Sequence, residues 1–306
     1  MRRALLPWTL VFALLAAGFA ASVVALNADL YSAGGFVRSY LQALERGDAE
    51  AALETPGVVG ASALVTDATV GGFSGIHVIS DVEDDGQHTV RAGYTIAGEE
   101  LVSQFEVERT GTRLGLFATW QFAVSPIATL AVAVDYDQRF AINGMDAVAG
   151  NHAMLVPSAV TLTHDTQYLE ALPVGVVVTE VGSTVEAAIA VAPKDSFAPA
   201  ATAALKEFLD ACTTQQVLKP TGCPFGTDVA NRLDSLPTWS IVEYPTAVLE
   251  PEGKAWQTMA SATAHITAQV KSLFDGTVST LDQDVPFDAT YVITIGPTNE
   301  LSVTIA

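Results

Sequence analysis

One uncharged run near the N-terminus constrains this chain more than any other feature. After Met1, Arg2 and Arg3, no charged side chain occurs until Asp29. Residues 4–26 (ALLPWTLVFALLAAGFAASVVAL) are long enough, at about 1.5 Å per residue, to cross a hydrocarbon core of about 30 Å. A helix is the only single segment that can do so, because every backbone polar group must be satisfied internally. Pro7 falls in its first turn, where a missing N–H costs little. Trp8 lies near one end and Tyr31 just past the other, where aromatic rings rest at membrane interfaces. Arg2 and Arg3 set the orientation: kept in the cytoplasm, they send the C-terminal body across the membrane. A cleavable signal peptide is the competing reading, with a cut near Gly18-Phe19-Ala20. Against it, the apolar run continues through Val23, Val24 and Leu26 without a polar region before the cut. Both readings export the body. No cysteine lies near the segment to carry a lipid, and the one LPxT-like string, Leu236-Pro237-Thr238-Trp239, is internal and does not fit a wall-sorting signal.

Charge narrows the partners. The chain has 14 Lys and Arg against 34 Asp and Glu; with Arg2 and Arg3 set aside, 12 basic side chains remain and the formal charge is −22. Such a surface repels nucleic acid and anionic lipid, so both are poor partner candidates and no nucleic-acid partner is expected. It keeps an exported protein soluble and would attract divalent cations or basic partners. Half of the residues are hydrophobic, enough for a sizeable core, and the length suggests two or three domains.

The two cysteines, Cys212 and Cys223, form an isolated close pair, which in an exported chain is most simply a disulfide. A metal site would need further ligands nearby, and a redox role would favour a C-x-x-C spacing; both are missing.

Helical spacing appears at Phe36, Val37, Tyr40, Leu41 and Leu44. Gly47 ends that helix and Asp48 caps a second over residues 49–54, which Pro56-Gly57 stops. Four strands are expected near 74–82, 87–97, 100–109 and 113–124, turned by Asp85-Gly86, Gly98-Glu99 and Thr110-Gly111. Helices followed by a meander indicate an α+β domain.

The phrase FVRSYLQALERGDAEAALETPGV resembles the opening helices of the nuclear transport factor 2-like cone fold found in exported bacterial proteins. It is more closely similar to uncharacterised membrane-anchored envelope proteins of actinobacteria, in which it directly follows the anchor. The resemblance covers residues 27–125 and implies a curved sheet wrapped around helices, leaving an apolar concavity. Enzymes of that fold use an acid/base carboxylate with tyrosine or acidic donors inside the cone. Here Tyr94 is the one candidate to face inward, and no acid shares its face. The resemblance carries the fold and not the catalysis.

Pro126 opens a second segment. Leu130, Val132, Val134 and Tyr136 alternate, Asn143-Gly144 makes a hairpin turn, and further strands fall around 159–164, 174–180 and 184–192. This reads as a small β-sandwich. After a linker at residues 193–199, Leu205, Phe208, Leu209 and Cys212 form one helical stripe, with Cys212 on the buried face. Two long alternating strands, through Ala262–Val270 and Phe287–Ile295 by number 262–270 and 287–295, then lead to a last strand at Leu301, Val303 and Ile305. The expected layout is α+β throughout: a cytoplasmic tip and transmembrane helix at 1–28, a cone-like α+β domain at 29–125, an all-β module at 126–195, and a C-terminal α+β domain with an antiparallel sheet and one disulfide at 196–306.

No residue pattern commits the chain to a reaction. Asp81-Val82-Glu83-Asp84-Asp85-Gly86 matches half a calcium loop, but the twelfth position, which needs a bidentate Glu, is Ala92, and flanking strands make it an acidic hairpin tip. His77, His88, His152, His164 and His265 are scattered without metal-ligand spacing, and each is expected at the surface or in a loop. No G-x-S-x-G, S-x-x-K, Walker or dinucleotide motif occurs, so neither a catalytic residue nor a cofactor or metal is assigned. Trp239, Tyr244, Trp256 and Phe274 are expected to pack against the cysteine-stapled helix rather than to form a sugar or peptide face. The expectation is a non-enzymatic, membrane-anchored extracytoplasmic protein of the cell envelope that binds a partner or ligand of unknown specificity. The alternative is a small-molecule-binding protein or enzyme using the concavity of the first ectodomain.

Overall fold

A computed structural model describes residues 2–60, 70–253 and 255–306, with side chains from Val11 onward. The charge, interface and turn roles expected of Arg2, Arg3, Pro7 and Trp8 fall on side chains outside the described residues. The chain divides into two compact units. The first holds Met1–Ala133, Arg139–Thr163 and Pro173–Ile189; the second holds Val134–Gln138, His164–Leu172 and Ala190–Ala306.

In the first unit, helix α1 (Arg2–Ala28) is apolar, and over Val11–Ala28 none of it is buried. Its one hydroxyl in that stretch, Ser22, donates back to the Gly18 carbonyl at 2.9 Å, which satisfies it without water. Helix α2 (Ala33–Glu45) starts at Ser32, whose Oγ accepts from the Gly35 amide at 2.9 Å, and buries Val37, Tyr40, Leu41 and Leu44 along one stripe. Gly35 has no substitute there: a Cβ would sit 2.3 Å from the Asp29 carbonyl oxygen. Helix α3 (Ala49–Leu53) is capped by Asp48, as its sequence predicts.

Strands β1 (Phe73–Asp84), β2 (Gln87–Ile96), β3 (Glu99–Arg113) and β4 (Phe117–Phe122) form an antiparallel meander in that order. Two turns differ from expectation. The second is Ala97-Gly98, with φ of 51° and 89°, the pair of left-handed residues that a two-residue hairpin needs. Thr110-Gly111 does not turn the chain at all. Thr110 is the extra residue of a bulge between Arg109, which pairs with Trp120, and Gly111, which pairs with Thr119; β3 runs on to Arg113, and Leu114-Gly115 makes the reversal.

The following strands are β5 (Ile127–Val134), β6 (Arg139–Ile142), β7 (Met145–Val148), β8 (Gly150–Leu155), β9 (Ser158–Thr163), β10 (Leu169–Glu170), β11 (Val174–Val178), β12 (Thr184–Ile189) and β13 (Ala192–Pro193). They make a four-stranded sheet ordered β11-β9-β6-β7, a three-stranded sheet ordered β12-β5-β8, and a short β10-β13 pair. Asn143-Gly144 supplies the β6–β7 turn as expected.

In the second unit, helix α4 (Phe197–Thr213) lies on a sheet built from β14 (Arg232–Leu233), β15 (Thr238–Glu243), β16 (Glu250–Glu252), β17 (Ala255–Lys271), β18 (Val278–Ile295) and β19 (Leu301–Ile305). Phe197, Ala201 and Leu205 pack with Trp256, Tyr291 and Ile293, while Leu209 and Cys212 pack with Phe225, Trp239, Ala264 and Ile266. Cys212 and Cys223 are disulfide-bonded, their Cα atoms 5.8 Å apart. The loop they close is also held by Trp239, whose indole N–H donates to the Val217 carbonyl at 2.8 Å.

Replacing Cys212 and Cys223 together by Ser should therefore lower the stability of the second unit by about 2–3 kcal/mol, read by denaturant titration of Trp239 and Trp256 fluorescence. A second expectation concerns alkali. Burial raises the Tyr291 phenol to about 12, and it raises Tyr40 and Tyr94 despite their hydrogen bonds to Val156 and Ser103. A raised phenol holds its proton more tightly folded than unfolded. The stability it contributes is whole below the ordinary value of about 10 and is lost as pH climbs through the folded value. The same titration should show stability falling above about pH 10. Tyr291→Phe should blunt that fall and add about 1 kcal/mol, because the buried hydroxyl has no hydrogen-bond partner among the described residues.

Candidate functional site

Among the described residues, a candidate site lies where α1 meets β4, and one asparagine holds the two together. A sheet edge leaves backbone groups unpaired. Asn27, in the last turn of α1, meets two of them at the start of β4. Its Nδ2 donates to the Val23 carbonyl at 3.0 Å and to the Leu116 carbonyl at 2.7 Å, and its Oδ1 accepts from the Ala118 amide at 3.0 Å. Beside this clamp, Trp120 donates its indole N–H to the Tyr31 carbonyl at 2.8 Å, and the Tyr31 ring stacks on Phe117 at 4.5 Å. Helix α1 and the meander thus share one hydrogen-bonded seam.

Trp120 divides two openings. On one side is a cleft of about 580 Å³ with an apolar floor of Leu30, Tyr31, Phe36 and Trp120; Ser39, Thr55 and Glu54 line it too, Glu54 being its one carboxylate. On the other is a smaller opening of about 380 Å³ lined by Asn27, Glu83, His88, Arg109 and Trp120. There the His88 ring meets Trp120 edge-on at 4.7 Å, and its Nδ1 lies 2.6 Å from Asp81. The other Asp81 oxygen accepts from the Gly34 amide at 3.2 Å, which fixes the carboxylate. An Asp-oriented imidazole can move a proton. Among the described residues, Asn27, Glu83 and Arg109 line the same opening and offer further polar groups to a ligand.

The face of the meander under α2 is filled. Tyr40, Tyr94 and Phe105 are each at most 1% exposed, and Phe122 packs against Phe36, Tyr40 and Phe105. Tyr94 does face inward, and its hydroxyl is engaged by Ser103. Burial and that bond leave it no substrate-facing surface.

Other residues singled out in the sequence separate into kept and corrected. Asp81 to Gly86 form the end of the β1–β2 hairpin, and Asp81 turns back to His88 and Gly34. No cluster of three His, Cys, Asp or Glu that could hold a metal ion occurs among the described residues. The histidine expectation fails for one of five: His152, within β8, is 8% exposed, its ring against Phe140 and its Nε2 on the Val148 carbonyl at 3.0 Å. A ring whose polar atom finds a partner can enter a core. His164 lies in the loop after β9, as expected, although it is 2% exposed, with Asp137 at 3.9 Å. His265 has partners that no local window reveals: Asp284 at 2.7 Å and Asp282 at 3.3 Å come from the returning strand β18. Pairing the two alternating strands in register would have found them. Among the aromatics, Trp239 and Trp256 are buried in the clusters under α4, and Tyr244 reaches Asp210 and Lys206 on the helix surface. Phe274 does not pack there; it is fully exposed at the β17–β18 turn, beyond the reach of α4.

No family model matches the chain, and no curated protein or solved structure matches it. The class that fold and site define is a mixed helix-and-sheet chain with one N-terminal apolar helix, a candidate single span or signal anchor, and one disulfide.

Asn27→Ala should free the Leu116 carbonyl and the Ala118 amide. At about 1 kcal/mol per hydrogen bond, amide exchange at Ala118 should quicken several-fold, while Asn27→Asp, which keeps the acceptor, should protect it better. Hydrogen exchange followed by mass spectrometry of the full chain in detergent checks both.

Proposed function

We propose that the chain is a single-pass, membrane-anchored protein of the cell envelope whose extracytoplasmic body works by binding and not by catalysis. The observation that carries this reading is the position of the larger cleft: it opens against the end of α1, so a ligand held there is held near the membrane surface. Its mostly apolar floor with few polar groups is the usual make-up of a ligand pocket. An amphiphile or peptide segment fits, with an apolar part over Trp120 and Phe36 and a donor or cation at Glu54. Supporting the location, an apolar helix with none of Val11–Ala28 buried is unfavourable in water and natural in lipid. The paired N-terminal arginines favour a cytoplasmic tip, and the disulfide favours an oxidising compartment.

In this reading α2, α3 and the β1–β4 meander form the cone that the sequence resemblance implies, and the two sheets of β5–β9, β11 and β12 pack as a sandwich. An enzyme working inside the cone is the weaker reading, because aromatic side chains fill that interior.

Cysteine labelling in whole cells tests the location. Leu172→Cys should react with a membrane-impermeant maleimide, and Arg2→Cys should react only after lysis; the reverse pattern sinks the topology. The purified chain should not hydrolyse glycan, peptide or ester substrates above a heat-treated control, and turnover well above that control sinks the binding reading.

A further inference from the structure

We propose that the β3–β4 hairpin is a second membrane contact, laying Leu114 and Leu116 into the interface of the bilayer that α1 crosses, with Arg113 at the level of the lipid phosphates. This rests on the reading that α1 spans a membrane.

Direction is fixed by the Asn27 carboxamide. Its nitrogen reaches both the Val23 carbonyl and the Leu116 carbonyl, and its oxygen takes the Ala118 amide. Val23 is one turn closer to the N-terminus of α1, so β4 traced backwards from Ala118 to Leu116 runs down the helix towards its N-terminus. Trp120, two residues further up the strand, reaches Tyr31, beyond the helix end. The reversal at Leu114-Gly115 therefore lies further along α1 than Asn27, beside the apolar run. At about 3.3 Å per strand residue, two residues carry the chain up to about 6 Å deeper than Leu116.

Three further features agree. Leu114 is 83% exposed and Leu116 40%, although each is large and apolar. Leu114 adopts φ 55°, a left-handed turn position that Gly or Asn fills at lower cost; a leucine there is unfavourable for the turn and contacts little of the body. A lipid interface gives that side chain an environment. The charges beside the tip fit as well: no acid occurs in sequence between Glu108 and Asp135, and Arg113 directly precedes Leu114, while Arg109, further back on β3, shares an opening with Glu83 of the neighbouring hairpin. A guanidinium group pairs with phosphate, and an apolar tip just beyond Arg113 matches the layering of a membrane surface.

The test uses the full chain in vesicles of equimolar phosphatidylcholine and phosphatidylglycerol. Cys212 and Cys223 are bonded to each other, so a single added cysteine takes a nitroxide label specifically. Labels go at Leu15→Cys in α1, at Leu114→Cys, and at Val102→Cys towards the far end of β3. Leu114 should collide with oxygen in preference to a water-soluble nickel chelate, as Leu15 does, and Val102 should show the opposite preference. If Leu15 is lipid-exposed and Leu114 behaves like Val102, the hairpin contact is overturned while the anchor stands. If Leu15 is itself water-exposed, the anchor reading fails and takes this proposal with it. Leu114→Asn suits the turn and removes the apolar group: a label at Leu116→Cys should then lose its oxygen preference with the fold intact, and an unchanged preference would overturn the role of Leu114.

Discussion

A backbone group that leaves water must find a partner, and the seam at Asn27 is where this chain meets that requirement most sharply. Without the carboxamide, the Leu116 carbonyl and the Ala118 amide at the outer edge of β4 would lose this partner. With it, an apolar helix and a strand edge become one element. The Trp120 cleft follows from that seam, because Tyr31 and Leu30 are held over Phe36 and Trp120 only while the chain leaving α1 stays bonded to β4. Position and site are thus set by the same few hydrogen bonds.

The second unit solves a different problem. Strands β17 and β18 are 17 and 18 residues long, and a two-sided sheet of that length needs cover on one face. Helix α4 provides it, and its C-terminal turn meets the sheet through Leu209 and Cys212. The disulfide and the Trp239 bond hold the irregular chain after the helix, where no regular backbone pairing would otherwise do so.

Much of this was legible because it is local. The 3.6 period of Val37, Tyr40, Leu41 and Leu44, the alternation of Ala262 to Val270 by twos, and the left-handed pairs at Asp85-Gly86 and Asn143-Gly144 each depend on a few neighbouring residues. What escaped depends on partners distant in sequence. Thr110-Gly111 has turn composition, yet a bulge takes up Thr110 once β4 pairs past it. His265 looks idle until Asp282 and Asp284 return on the next strand, and His152 looks polar until Phe140 lies beside it. The candidate site was the least legible part. Asn27 is merely the first polar residue after an apolar run, and its three bonds include two to a strand some 90 positions on.

Electrostatics gives the seam a further consequence. A body of formal charge −22 beyond the two leading arginines should be pushed away from a surface of anionic headgroups. Over a Debye length of about 8 Å, only the charges nearest the membrane count. The segment that the Asn27 clamp holds against α1 is the acid-free stretch after Glu108, with Arg109 and Arg113 at its start. The acidic β1–β2 turn lies at the same end of the meander, with Glu83 in one opening with Arg109 and Leu116, so this end is not free of carboxylates. Contact with an anionic surface would therefore fall to the part of the β3–β4 hairpin that runs past that turn, Arg113 with Leu114 and Leu116, and not to a general segregation of charge.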